Sequence, residues 1–153
     1  MNAWTFAVEA WDQEATRGAA LELQDRHQQC ISLLLWRLWA ATEARPVAPP
    51  LLERAVALAR SLETEVLGPC RRARAFLGAT PPSPFAAPAR DSAREAISGA
   101  EAAVERMLID ALEALVPAPD GKPVDPLCGL SETVSAWGGT GPPELLAKLA
   151  GAC

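Results

Sequence analysis

The stretch LQDRHQQCISLLLWRLWAA, residues 23–41, constrains this chain more than any other. From Ile31 to Ala41 apolar side chains fall on every side of a helical wheel, and Ser32 and Arg37 are the only polar residues. A helix apolar all round has no face to give to water, so it belongs in lipid or at the centre of a protein core. Crossing a bilayer takes about 20 such residues, and this run is about half as long. It also holds an arginine and has charged residues on both sides. The stretch therefore predicts the central helix of a soluble bundle and not a membrane anchor.

The remaining periodicities predict an all-α single domain spanning residues 1–153, a bundle of five or six helices. A chain of this length can bury a core without help from a disulfide or a metal. Asn2 is a candidate N-cap, and Trp4, Ala7, Val8 and Trp11 follow it at helical spacing. Thr16, Ala19, Ala20 and Leu23 form the apolar stripe of a second helix, continued by His27. After a Pro-bounded turn at 45–50, Leu52, Val56, Ala59, Leu62, Val66, Ala73 and Phe76 mark a helix over 51–77. Pro69 should kink or break it, because its ring meets the carbonyl of Glu65 four residues back.

Residues 78–88 read as a connector, although their proline spacing is that of a polyproline ligand. Ser92-Ala93-Arg94-Glu95 reads as a capping box that opens a helix over 92–116. Its apolar stripe runs Ala93, Ile97, Ala100, Val104, Met107, Leu108, Ala111 and Leu115. Glu101, Glu105, Arg106, Asp110 and Glu113 fall on the opposite, solvated face. Six prolines and five glycines between Pro117 and Pro143 predict a long irregular segment, pinned by a single turn at Leu130, Val134 and Trp137. Leu145, Leu146 and Leu149 predict a short docked helix at 144–150.

Charge and cysteine usage narrow the function. A net charge of -5 leaves no basic face with which to release counterions from phosphates, so nucleic acid is not an expected partner. Cys30, Cys70, Cys128 and Cys153 show no C-x-x-C spacing, and no basic-then-apolar leader opens the chain. Reduced thiols and a cytoplasmic location are expected. His27 is the only histidine, and its neighbours Asp25 and Cys30 do not make the paired spacing of a zinc site. No hydrolase, zinc-protease, phosphate-loop or dinucleotide motif occurs, so no catalytic residue, metal or cofactor is expected.

Several residues also resemble a known block. Trp4-Thr5-Phe6, then Leu23, Gln24, Asp25 and His27, then Leu33, Leu34, Leu35, Leu38 and Trp39, resemble a family of small proteobacterial proteins known only as a domain of unknown function. Gly68-Pro69 and the arginines after it resemble a further segment of that family. The resemblance implies a bacterial, soluble, all-helical protein and supplies no activity. This chain departs from the family block at Gln28, where the block has glycine, at Cys30, where it has aspartate, and at Ser32, where it has asparagine.

Two polar groups are candidates for function. Gln24, Asp25, His27 and Arg37 form the first. A buried Arg37 needs an anionic partner, and Asp25 or Glu22 on the preceding helix is the expected one. A packing ion pair is the favoured role, and an anion site floored by Arg37 the alternative. Cys30 beside His27 is a conceivable nucleophilic dyad, but a core histidine is the better reading. The second group is Arg71, Arg72 and Arg74, which could hold an anion at the first amides of a restarting helix; a solvated face is the plainer reading. Trp36 and Trp39 are expected in the core rather than at a partner surface. The leading expectation is a non-enzymatic interaction protein, an adaptor or regulator that binds another protein or a second copy of itself. The alternative is a small-molecule or anion binder, or an enzyme, with a polar pocket around Gln24, Asp25, His27 and Arg37.

Overall fold

Asn2 opens the first helix by accepting a hydrogen bond from the Thr5 amide at 2.7 Å. The computed structural model describes residues 1–79, 85–122 and 124–151. The helices are α1 (Ala3–Asp12), α2 (Glu14–His27), α3 (Ile31–Thr42), α4 (Pro49–Leu62), α5 (Gly68–Gly78), α6 (Ala87–Leu115), α7 (Pro126–Trp137) and α8 (Pro143–Ala150). A π-helical turn, Glu63–Leu67, joins α4 to α5 without a break. No strand occurs among the described residues, so the all-α expectation holds. The polyproline-like spacing and Cys153 fall largely or wholly outside the described residues.

Helix α3 is the axis of the bundle. Every residue from Ile31 to Ala41 is buried, including both tryptophans, Ser32 and Arg37. Helices α7 and α1 lie closest along it, and α6, α4 and α2 complete the shell. The Trp39 indole N–H donates to the Met1 carbonyl at 2.8 Å, which ties the N-terminus over the core. Trp36 and Trp39 are fully enclosed and present nothing to a partner.

Arg37 corrects one expectation. Its guanidinium reaches Glu132 on α7 at 3.1 Å, not Asp25 or Glu22. Asp25 points to solvent and Glu22 pairs with Arg26 at 3.7 Å. The reason is α7, which the sequence suggested only as a single turn. Asp125 caps it by accepting from the Leu127 amide at 3.1 Å, and Pro126 starts it, where a missing N–H costs nothing. Gly129 lets α7 close on Arg37, since a Cβ there would stand 2.7 Å from the guanidinium carbon.

Three further boundaries or faces differ from the sequence reading. At Gly68-Pro69 the chain widens instead of breaking. The Gly68 amide bonds to the Glu63 carbonyl five residues back, which is the π pattern. A Cβ at Gly68 would meet that carbonyl oxygen at 2.8 Å. Helix α6 starts at Ala87, with Pro88 in its first turn, so Ser92–Glu95 lies inside it and caps nothing. Its buried residues are Glu101, Leu108, Ile109 and Leu112, so the face keeps Leu108 of the expected stripe but is rotated from it, and Met107 is exposed. Phe76 on α5 is exposed as well.

The α2–α3 corner is held from the C-terminal region. Gln28 ends α2 in the left-handed conformation, φ 55°. Its carbonyl accepts from the Trp137 indole at 2.8 Å. The Gln29 side-chain amide donates to the carbonyls of Gly138 and Thr140, at 2.9 and 3.2 Å. These bonds fold the glycine-rich turn after α7 against the corner and position α8, whose Leu145, Leu146 and Leu149 dock as expected.

Gln28→Gly should raise stability by about 1 kcal/mol, because only glycine meets no Cβ penalty in that conformation. Chemical denaturation with unchanged m checks it. Glu132→Ala should cost on the order of 3 kcal/mol, since it strands a buried guanidinium, whereas Arg37→Met should be close to neutral. Equal losses in the two variants would refute that account of the pair.

Candidate functional site

The faces that α1 and α6 withhold from the core meet at a cleft. On α1, the buried side is Ala3, Phe6, Ala7 and Ala10. Trp4, Val8 and Trp11 lie to one side of it and line an inner recess of about 330 Å³. Leu21 of α2, Ile31 and Leu35 of α3 and Ile109 of α6 complete its apolar wall. The facing wall is polar, with Arg71 and Arg74 from α5 and Glu101 and Glu105 from α6. Gln24, Ser32 and Ser98 add neutral polar groups.

The π turn builds the polar wall. It brings Glu63 onto the same side of the rod as Arg71, eight residues on, and the two form a hydrogen-bonded ion pair. Arg71 also reaches Glu105, at 3.7 Å. Arg74 pairs with Glu101 at 2.8 Å, and Glu101 is 8% exposed. Three carboxylates thus share two guanidiniums. Glu105 holds the longest of the three contacts, and its carboxyl is pushed above the usual range. Burial is the main cause, with repulsion from Glu101 and Glu63 added, against the pull of Arg71.

Arg71 and Arg74 are also a partition. Behind them lies an outer recess of about 420 Å³, lined by Gln24, Asp25, Arg72, Arg94 and the same two arginines. The outer recess carries four arginines to one aspartate, while the inner one carries the carboxylates.

The candidate residues therefore scatter. Gln24 and Asp25 stand at the recesses, while His27 bonds through Nδ1 to the Thr140 hydroxyl at 2.8 Å. Arg37 is committed to α7. Those four side chains do not converge on one pocket. Arg71, Arg72 and Arg74 do border one recess, but no helix restarts there to offer free amides, because the rod from α4 to α5 is continuous. Sequence reading missed Glu101 and Glu105, placed on a solvated face, and Arg94, taken for part of a cap. The partners of the two glutamates, Arg74 and Arg71, sit on α5, more than twenty residues earlier, and no local spacing reveals that.

No thiol–imidazole dyad forms. Cys30 is fully buried and its thiol is pushed up to about 12, chiefly by burial. The three described cysteines are unpaired, and no cluster of metal-binding side chains occurs among the described residues. No helix among them is long and apolar enough to cross a membrane.

Fold and site together define a small all-helical bundle with an amphipathic recess beside its central helix. The chain belongs to the family described as Protein of unknown function (DUF2390), whose model matches residues 2–112. That span runs from α1 through most of α6 and contains every residue of both recesses. No curated protein and no solved structure matches the chain.

Glu105→Gln should raise the melting temperature at pH 7. An acid with a raised folded-state pKa costs stability when ionised and costs nothing once protonated. The gain should therefore shrink as pH falls through the raised folded-state value and vanish below the unfolded carboxylate range, and calorimetry from pH 7 down to pH 4 checks it. Iodoacetamide at pH 8 should label the exposed Cys128 and leave Cys30 unmodified until the protein is unfolded, read by peptide mass spectrometry.

Proposed function

We propose that this is a binding protein and that its working site is the inner recess, which takes a small amphipathic molecule. One observation carries the reading. A cavity of about 330 Å³ sets a wall with two tryptophans against a wall of ion pairs. Ligand sites are concave, mostly apolar, with a few convergent polar groups, and start at roughly 300 Å³. Binding is favoured over nucleophilic catalysis because, among the described residues, no cysteine or histidine lines the recess. Cys30 is deep in the core and His27 is bonded to Thr140. The three unpaired cysteines among the described residues fit a reducing compartment, and the acidic balance fits a partner other than nucleic acid.

The expected interaction protein stands as the second reading, favoured by Val8, Trp11 and Leu21, which are exposed around the rim. A helix is about 10 Å across with its side chains, so a partner, or a second copy of the chain, would insert a side chain here and not a whole helix.

Native mass spectrometry of the protein purified from its host separates the readings. The wild-type chain should carry a small-molecule mass that denaturation releases. Ala102→Trp, at an exposed position that lines the recess, should abolish that mass and leave the melting temperature within about 2 °C. A chain that carries nothing and binds nothing from a metabolite extract would overturn the small-molecule reading.

A further inference from the structure

We propose that the inner recess takes an organic cation, a protonated amine or guanidinium on an apolar stem, with its nitrogen against Glu105 and Ser32 and its stem against the tryptophan wall. The inference rests on the small-molecule reading above and names the ligand's chemistry.

Charge balance is the first support. The inner recess and the groups paired to it hold Glu63, Glu101 and Glu105 against Arg71 and Arg74. Glu63 and Glu101 each have a close guanidinium. Glu105 is left with one shared contact at 3.7 Å, beside an apolar wall. A carboxylate in such a place is stabilised by a cation that brings its own apolar surface.

Ser32 is the second and independent support. It is 6% exposed and lines the recess. Its hydroxyl has no hydrogen-bond partner among the described residues, unlike Thr42, Ser131 and Thr133, which bond to their own helices four residues back. The hydroxyl opens onto the recess, where an N–H donor from a ligand would bond to it in place of water. The aromatic wall is the third. Trp4 already stacks with a cation, the Arg106 guanidinium, at 5.5 Å, so a nitrogen cation suits this wall. The four arginines of the outer recess lie across the Arg71–Arg74 partition and do not line the inner one, apart from that pair.

Isothermal titration with three probes of one shape tests the charge. Tryptamine is the cation, 3-ethylindole the neutral form and indole-3-propionate the anion. Tryptamine should bind the full chain at least about tenfold more tightly than either of the others. Glu105→Gln should erase that preference, and its melting temperature shows that it is folded. Ser32→Ala should weaken tryptamine several-fold while leaving the order of the three probes unchanged. If the neutral or anionic probe binds as tightly as tryptamine, and Ala102→Trp blocks it, the cation proposal falls while the recess remains a ligand site. If tryptamine binds equally to wild type and Glu105→Gln, or none of the three binds, the cation proposal falls. The native mass measurement then decides the small-molecule reading by itself.

Discussion

Enclosure of α3 on all sides is the constraint from which the rest of the structure follows. A helix with an apolar face needs one neighbour, whereas a helix apolar all round needs a closed shell. That shell draws on both ends of the chain. Helices α1 and α2 from the N-terminal part, α4, the long α6 and the late helix α7 each cover part of α3. Arg37 is the one charge within this enclosure, and its cost is met by making α7 bring a carboxylate to it. A glycine at 129 and an aspartate cap at 125 are the local terms that let α7 do so.

The π turn is the second determinant, and it connects fold to site. One extra residue in the rod between α4 and α5 changes the angular register of everything after it. Arg71 and Arg74 are thereby turned toward α6, and Glu63 is placed beside Arg71. Without that register shift the three arginines would form an exposed basic strip, as their spacing alone suggests. With it, two become a wall between a strongly basic recess and one where they are matched by Glu101 and Glu105.

What the sequence reveals divides along the range of the interactions involved. Burial of 31–41 was legible because it follows from composition alone, and α8 and the α2 stripe followed from periodicity. Helix α7 was obscured by Pro126 and Gly129, which read as breakers. One starts the helix, and the other gives room to Arg37. The face of α6 was misjudged because Glu101 and Glu105 count as solvated on any hydropathy scale. The burial of Glu101 and the partial burial of Glu105 depend on arginines from another helix. The departures from the family block become interpretable only in three dimensions. Gln28 holds a left-handed cap, Cys30 precedes α3 where a side-chain acceptor would cap it but none does, and Ser32 faces the recess.

Stability by itself does not account for the polar wall. Buried ion pairs gain little over well-packed apolar residues of similar size, because desolvation offsets the attraction. Here the arrangement is unfavourable even by that measure, since three carboxylates face two guanidiniums and one of them is pushed toward its neutral form. Further along, α6 solves the packing problem with Leu108 and Leu112. The undercompensated Glu105 and the Ser32 hydroxyl, both opening onto a recess with two tryptophans, are the groups on which the proposed ligand site rests. That is the physical reason why the proposed function is placed at this recess rather than at Arg37, which is paired with Glu132, or His27, which is bonded to Thr140.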